Sequence, residues 1–556
     1  MTLITTLQKS FKTAIGIAAL SISAIQAAEK PNIIFVLTDD QPYEYLGVTG
    51  NTIVKTPNID QMANDGMLFT NAHVTSAICT PSRVSIALGQ YERKHAVNFN
   101  SGTSVSEKAW DSSYPMLMRK AGYYTGWIGK NHIPAGDVGY TSGLMEKSFD
   151  YWYAAHGHMR FYSKEHNKIF SEAKSDTQVE IINDGIDDFL NPRGHQFKNA
   201  VKSGVKRTKD QPFMLSININ LPHSSSTRVM EQRPTDDVIY RTLYRDQEIP
   251  LSRYYVARKD IKTPKLPASI LHAEDRQTGY NYVDTPEDAK EIMIRQYQAM
   301  TGIDRLIGNL RKKLEEIGEA DNTIIIMTSD HGLFMGEHGL GGKALCYEKV
   351  THVPVIIYDP RHKPTSNRST QLVSTVDIAP TILSMGGVAL PKTFQGEDLS
   401  PVFYEDQPLK RKYSYSENLW STHFGNPRCE SVQDQGWKYI RYYANNNLSA
   451  TTKLEMAKKF KIKTGDLLYG VRDTDMVQYF QNREGPLKGE PAVYEELYNY
   501  GVDPMETTNL VNDPKYQAKL DELRAAWKPA ITHAFGTEFP SVNRYNKDIG
   551  KGYASK

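Results

Sequence analysis

The run Asn32-Ile33-Ile34-Phe35-Val36-Leu37-Thr38-Asp39-Asp40 decides the fold class of this 556-residue chain. Its centre is apolar without alternation, as expected of a parallel strand buried on both faces. It ends in two adjacent carboxylates. In an open α/β sheet, ligands bind at the C-terminal ends of the strands. Neighbouring carboxylates repel unless a cation neutralises them, so hard-metal binding is a natural use of the pair. A lone Asp-Asp is also ordinary in a solvated turn. A second run of the same texture, Thr323 to Thr328, ends in Ser329-Asp330-His331-Gly332. Two buried strands far apart in sequence, both ending in candidate metal ligands, are much harder to reach by chance than either alone.

Helical patterns surround these strands. Thr56 to Ala63 opens an amphipathic helix that Gly66 closes,. A longer one runs from Glu287 to Gly318, with Ile292, Tyr297, Met300, Ile303, Leu306, Ile307, Leu310 and Leu314 roughly on one side,. Tyr114 to Ala121 predicts a helix. Tyr123 to Ile128 predicts a strand running into Gly129-Lys130-Asn131-His132, where alternate residues share a face and Lys130 and His132 both point one way,. Alone, such a pair is commonest in a surface loop. Gln211 to Asn220 alternates like a strand and leads to Leu221-Pro222-His223-Ser224. A glycine-rich loop, Gly336 to Gly342, delivers Lys343 near the second strand end.

Ala77 to Gly89 holds the most reactive pattern, with Cys79 two residues before Pro81 and four before Arg83. Pro81 is expected to hold the chain in a turn or extended path, with Val84 to Leu88 forming the first turns of a buried helix that Arg83 starts. A cysteine near a helix N-terminus and beside a guanidinium sits where negative charge is favoured. The residues alone suggest an anion-handling position, against the plain alternative of a buried, inert thiol.

Cys79-x-Pro81-Ser82-Arg83 followed by Gly89 resembles the signature of the type I, formylglycine-dependent sulfatases of the alkaline phosphatase superfamily. The other segments resemble that family in the same order, from about Pro31 to Leu510. Four positions depart from its pattern: Ala87-Leu88 replaces the usual leucine and threonine of a tail that assists maturation, Asn131 replaces a tryptophan, and His331 replaces an asparagine. The resemblance implies an alkaline phosphatase-like α/β sandwich around a large mixed sheet, with a smaller α+β C-terminal domain. It further implies that a separate maturation enzyme oxidises Cys79 to an aldehyde whose hydrate is the nucleophile. One calcium ion would be held by Asp39, Asp40, Asp330, His331 and the modified Cys79. Arg83, Lys130 and Lys343 would stabilise charge, His223 would protonate the leaving oxygen, and His132 would take a proton from the second hydroxyl.

Composition sets the remaining expectations. Formal charge is +2 including Lys9 and Lys12, so the chain without its first residues is near neutral, which argues against a nucleic-acid partner. Residues 1–27 read as a signal peptide: Lys9 and Lys12 are followed by a mostly apolar or small stretch to Ile25 and by small residues at Ala27-Ala28,. That stretch is too short to cross a bilayer, and no later segment is apolar enough. A periplasmic or secreted protein with no membrane partner is expected. Residues 28–404 form the expected catalytic domain, and 405–556 an antiparallel-sheet subdomain with a helix over Lys515 to Trp527. Three cysteines build no disulfide framework,; Cys346 and Cys429 either pair or remain thiols.

The polar stretch from Ser224 to about Thr285 reads as an insertion over the pocket. Phe149 to Tyr153 with His156, His158 and Arg160 reads either as an acidic-sugar surface or as an ordinary insertion; His158 and Arg160 are the substrate-binding candidates. The expected substrate is a sulfated carbohydrate: a marine algal polysaccharide such as ulvan or carrageenan, a glycosaminoglycan, or their oligosaccharides. Two alternatives stand beside it, a phosphonate or phosphate diester hydrolase of the same superfamily and a non-catalytic carbohydrate-binding relative.

Overall fold

The structure is a computed structural model that describes residues 30–99, 103–267, 270, 281–419, 427–444, 455, 458–459, 461, 481–537 and 542–544. The expected signal segment lies outside the described residues. Strand β1 (Asn32–Asp39) is buried along its whole length. Its alternate side chains enter two different cores, Ile34 and Val36 on one face of the sheet, Ile33, Phe35 and Leu37 on the other. This is why its sequence shows no polar alternation.

The remaining strands of its sheet are β2 (Met67–Phe69), β3 (Tyr124–Asn131), β4 (Tyr151–His156), β5 (Val201–Lys202), β6 (Phe213–Pro222), β7 (Thr323–Ser329), β8 (Val355–Tyr358) and β9 (Arg368–Ser369). They lie in the order β9-β2-β8-β7-β1-β6-β3-β4-β5. β1 runs parallel to both β6 and β7, and β3 parallel to β4 and β6. β8 is antiparallel to β7 and β2, so the sheet is mixed.

Helices α1 (Pro57–Asp65), α4 (Gln178–Phe189) and α5 (Pro286–Glu316) cover the face that receives Ile34 and Val36. Helices α2 (Cys79–Leu88), α3 (Tyr114–Lys120) and α6 (Ile378–Met385) cover the other. α5 buries the stripe read from its sequence; Ile303, Leu306 and Ile307 are wholly inaccessible, each such side chain contributing about 1.5–3 kcal/mol. A separate antiparallel sheet follows, β10 (Ser414–Asn418), β11 (Cys429–Gln433), β12 (Lys438–Tyr442) and β13 (Tyr494–Tyr498), with α7 (Gln517–Phe535) packed on it. The fold is therefore the expected α/β sandwich with a small C-terminal sheet.

Three readings are corrected. α7 continues eight residues past Trp527 through Pro529, because Ile531 and Ala534 are buried in the same cluster as Tyr91 and Trp527; that burial outweighs the hydrogen bond a proline removes. The stretch after Ser224 does not simply cover the pocket. Its Tyr240 and Leu243 carbonyls accept from Arg295 and Gln298 of α5, and Tyr244 reaches Thr301, so this part lines the helical layer. The aromatics Phe149, Tyr151, Trp152 and Tyr153 are core residues, each at most 2% exposed, which leaves them no surface to offer a sugar.

Candidate active site

Register brings the two acidic strand ends together. Thr38 pairs with Ser329, which sets Asp39 and Asp40 beside Asp330 and His331. On the other side the pairing jumps from Leu37–Asn218 to Asp39–Pro222. The four steps on β6 against two on β1 deliver His223 to the same edge. Asp40 closes the strand in the left-handed region at φ 64°, and its amide donates to Asp330 Oδ1 at 3.3 Å.

Helix α2 aims Cys79 at this edge. It begins at Cys79 itself, not at Arg83. Pro81 is compatible with that start because the first-turn N–H groups have no intrahelical acceptor, so the donor proline lacks is not missed. Gly89 ends the helix at φ 59°, and a Cβ there would lie 2.8 Å from the Phe394 ring; only glycine satisfies both.

Arg83 ties the strand ends to the helix. Its Nε donates to Asp330 Oδ2 at 2.8 Å and its Nη1 to Asn218 Oδ1 at 3.4 Å, while Nη2 lies 3.5 Å from Asp39 Oδ2. Lys130, inside β3, pairs with Asp39. Lys343 donates to Asp40 Oδ1 at 2.7 Å and to Cys79 Sγ at 3.0 Å. His331 places Nε2 3.2 Å from Cys79 Sγ and Nδ1 3.3 Å from Asp40 Oδ1. A Cys79 Sγ–Asp39 Oδ1 contact of 3.6 Å closes the ring.

The donor set fits a hard cation. Ligand atoms of Asp39, Asp40, Cys79 and His331 all lie within 4.8 Å of one another in a buried group, and Asp330 Oδ1 is 3.6 Å from His331 Nε2. The electrostatics support this. Burial would raise Asp39, but Lys130, His223, Arg83 and Lys343 together hold it well below the usual carboxylate range. Asp40 moves the other way: burial raises it, Lys343 and His331 do not offset that, and Asp39 and Asp330 add to it. Asp40 is a carboxylate short of positive charge. Burial, with Asp39 beside it, pushes the Cys79 thiol up to about 12.

Three histidines line the site, two beside Cys79 and the third beside Asp40. His132 follows β3, His158 follows β4 and His223 follows β6. His158 lies 4.4 Å from His132 and 4.6 Å from His223 between ring centroids, and ligand atoms of Cys79, His132 and His158 fall within 4.8 Å of one another. All three are held well below the usual histidine value, first by burial. Lys130 and His158 add to it for His132, Lys130 for His158 and Lys343 for His223. They are neutral imidazoles in the free site. Arg160 is exposed and directs its guanidinium toward His166, 3.4 Å away.

Sequence reasoning missed Asn218, which accepts from Arg83, and Ser226, whose hydroxyl is 3.5 Å from Asp40 Oδ2. Asn218 left a signal: a polar residue in a strand whose every residue is buried. Ser226 left none.

A sheet edge where three carboxylates and three cations surround one helix-N-terminal residue defines a hydrolase for anionic esters. The chain belongs to the sulfatase family: the Sulfatase family model matches residues 31–388, and a model for the C-terminal part of N-sulphoglucosamine sulphohydrolase matches 336–458. It is a sulfuric ester hydrolase. It is 26% identical to an N-acetylglucosamine-6-O-sulfatase of Bacteroides thetaiotaomicron, over 91% of this chain and 88% of that one. It is 24% identical to an ulvan-active sulfatase of Formosa agariphila, over 94% and 86%. The phosphonate monoester hydrolase of Agrobacterium radiobacter shares the fold, with a TM-score of 0.63 at 18% identity over 90% of this chain and 95% of that one.

Proposed function

We propose that this sulfatase removes sulfate esters from sulfated polysaccharides or their oligosaccharides, in the periplasm or outside the cell, with residues 28–404 as its catalytic domain and 405–556 as its C-terminal subdomain. The observation that carries the reading is that residue 79 is within 3.6 Å of a carboxylate, an ammonium and an imidazole at once. The names of two relatives, one acting on N-acetylglucosamine 6-O-sulfate and one on ulvan, favour a carbohydrate over a small aryl sulfate.

Asp39, Asp40, Asp330 and His331, with residue 79, are the proposed ligands of one calcium ion, whose positive charge would favour an ionised hydroxyl and sulfuryl oxygens beside it. Oxidation of Cys79 to formylglycine by a maturation enzyme would supply, as the hydrated aldehyde, one hydroxyl to take the sulfuryl group and a second to expel sulfate. The chain's own groups do the rest. Lys130 and Lys343 face the place where sulfuryl charge gathers, a preorganised arrangement that costs no reorganisation during reaction. Arg83 fixes Asp39 and Asp330 and adds charge from behind.

His223 is the proposed proton donor to the leaving oxygen and His132 the base for the second hydroxyl. A neutral His132 is already in the form a base requires. His223 needs a proton first, and a bound sulfate ester, by adding negative charge beside it, raises its affinity for one. The fold alone does not separate sulfate from phosphonate esters, because a phosphonate hydrolase shares it,. Rates on matched aryl sulfate and aryl phosphonate test the reading: faster phosphonate cleavage overturns it. Desulfation of defined sulfated oligosaccharides then identifies the sugar, and failure on all of them with rapid aryl sulfate turnover rejects the carbohydrate assignment.

A further inference from the structure

We infer that His158 is a positioning residue that sets the ring plane of His223. A catalytic histidine is ordinarily held by a hydrogen bond from its second nitrogen to a carboxylate, carbonyl or water. His223 lacks that device. Its Nδ1 is buried with no hydrogen-bond partner among the described residues, and its Nε2 is 3.9 Å from Asp40 Oδ2, beyond hydrogen-bond distance,. What fixes the plane is packing: the His158 ring lies parallel to it, with centroids 4.6 Å apart and planes 17° off.

The backbone is built to hold that stack. Gly157 turns the chain after β4 at φ 77°, with its amide donating to Asn131 O at 2.7 Å, so His158 returns toward β6 and does not continue the strand. The next residue is then clamped to the segment that carries His223. Met159 O accepts from Asn220 Nδ2 at 2.8 Å and from Ser224 Oγ at 3.2 Å. Gln178 bridges the two segments again, accepting from Asn220 N at 2.8 Å and donating to Arg160 O at 3.3 Å. Asn220 and Ser224 flank His223 in sequence, so the loop bearing His158 and the strand end bearing His223 are tied together by hydrogen bonds on both sides of that histidine. His158, a substrate-binding candidate by sequence, is here assigned a role that works through another residue.

The substrate dependence of this role rests on His223 donating a proton; the positioning itself does not. The test uses the full converted enzyme with nitrophenyl sulfate, whose alcohol leaves readily, and unsubstituted phenyl sulfate, whose alcohol leaves poorly. His158→Ala should lower kcat on phenyl sulfate by about ten- to a hundredfold, the scale of a misaligned reacting group, and by less on nitrophenyl sulfate. His158→Phe, which keeps a flat ring and loses both nitrogens, should restore most of that loss. The double variant His158→Ala/His223→Ala should be no slower than His223→Ala alone. Losses that add in the double variant, or His158→Phe as slow as His158→Ala, overturn the proposal. If His223→Ala slows both esters equally, the proton-donor reading of His223 falls, while the double variant still decides whether His158 acts through it.

Discussion

Asp39 and Asp40 are neighbours in sequence, yet the structure predicts unequal costs for neutralising them in calcium-free protein. Asp39 is wholly buried and carries the Lys130 ion pair, with Arg83 Nη2 at 3.5 Å. Asp39→Asn leaves the Lys130 ammonium, itself wholly buried, without its counter-charge. Removing one member of a buried ion pair costs about 3–5 kcal/mol. Asp40 keeps one ammonium at 2.7 Å but faces two other carboxylates, and its ionisation is opposed. Asp40→Asn also takes a counter-charge from the buried Lys343, but it relieves the repulsion from Asp39 and Asp330, keeps the shape and suits the left-handed backbone at φ 64°,, so its cost should be smaller than that of Asp39→Asn. Denaturant unfolding at pH 7 in chelator measures both. The signs in pH follow: the stability Asp39 contributes is present above its ordinary value near 3.8 and lost only as pH falls further, whereas Asp40 costs stability as pH rises through its raised value,. Equal losses for the two variants, or a larger loss for Asp40→Asn, would refute this account of the cluster's charge balance.

Four further outcomes are expected. An unconverted Cys79 thiol, pushed up to about 12, is ionised to only about one part in 10⁵ at pH 7, and calcium favours oxygen over sulfur. Turnover should therefore track the aldehyde fraction read by mass on tryptic peptide 56–83, with Cys79→Ala inactive; strong activity from wholly unmodified thiol would overturn the nucleophile. Stripping divalent ions should abolish turnover without unfolding the chain, and calcium should restore it better than zinc, whereas elemental analysis of a fully active, metal-free sample would reject the metal site. His223→Ala should cost about a hundredfold or more on sugar sulfates and less on activated aryl sulfates; equal losses would assign His223 to binding. Glu506 shares Lys438 with Glu348, at 3.3 Å and 2.5 Å, and is raised to about 7 by burial and by Glu348 despite Lys438. Because its folded value exceeds the ordinary one, stability should fall by up to about 3 kcal/mol as pH rises from about 4.5 to 7, and a Glu506→Gln variant that falls just as steeply would exclude this source.

The sheet was legible because β1 and β7 are buried on both faces and could not be written with polar alternation. Their C-terminal residues were legible because carboxylates beside buried strands need a reason. Lys130 was not readable by spacing alone, since a lysine and histidine so spaced are commonest in a surface loop; its face is fixed because the strand extends past Ile128 to Asn131,. The start of α2 was not legible either, since proline suggests a break before it suggests a first turn, and the preference is resolved only by where the first hydrogen bonds fall. The aromatic run Tyr151–Tyr153 misled for a related reason. A strand buried on both faces accepts tyrosine and tryptophan as readily as valine, so composition does not separate a sugar platform from core. His158 and His223 are 65 residues apart in number and become neighbours only through the Met159 clamp, which no local pattern announces.

The charge of the site explains why a metal and a substrate would be bound together. Among the described residues, Asp39, Asp40 and Asp330 face Arg83, Lys130 and Lys343, three negative groups against three positive ones. The cluster is balanced by itself, which lets the chain fold without a cation. A divalent ion placed among these carboxylates leaves an excess of two positive charges in a buried space, where an uncompensated charge is costly. A sulfate monoester brings one negative charge, and as its S–O bond breaks the bonding pair passes to the leaving oxygen, where new negative charge develops. The net charge of the site is unchanged in that step, so acceleration comes from fixed positive groups that face the oxygens on which charge develops and favour the transition state over the ester. Replacing Lys343 by methionine removes one of these charges and leaves Asp40 facing Asp39 and Asp330 without its ammonium. Its expected result is a loss in kcat larger than the rise in KM, together with tighter calcium binding read by calorimetry; weaker calcium binding in that variant would show that the ammonium supports the metal site and does not compete with it.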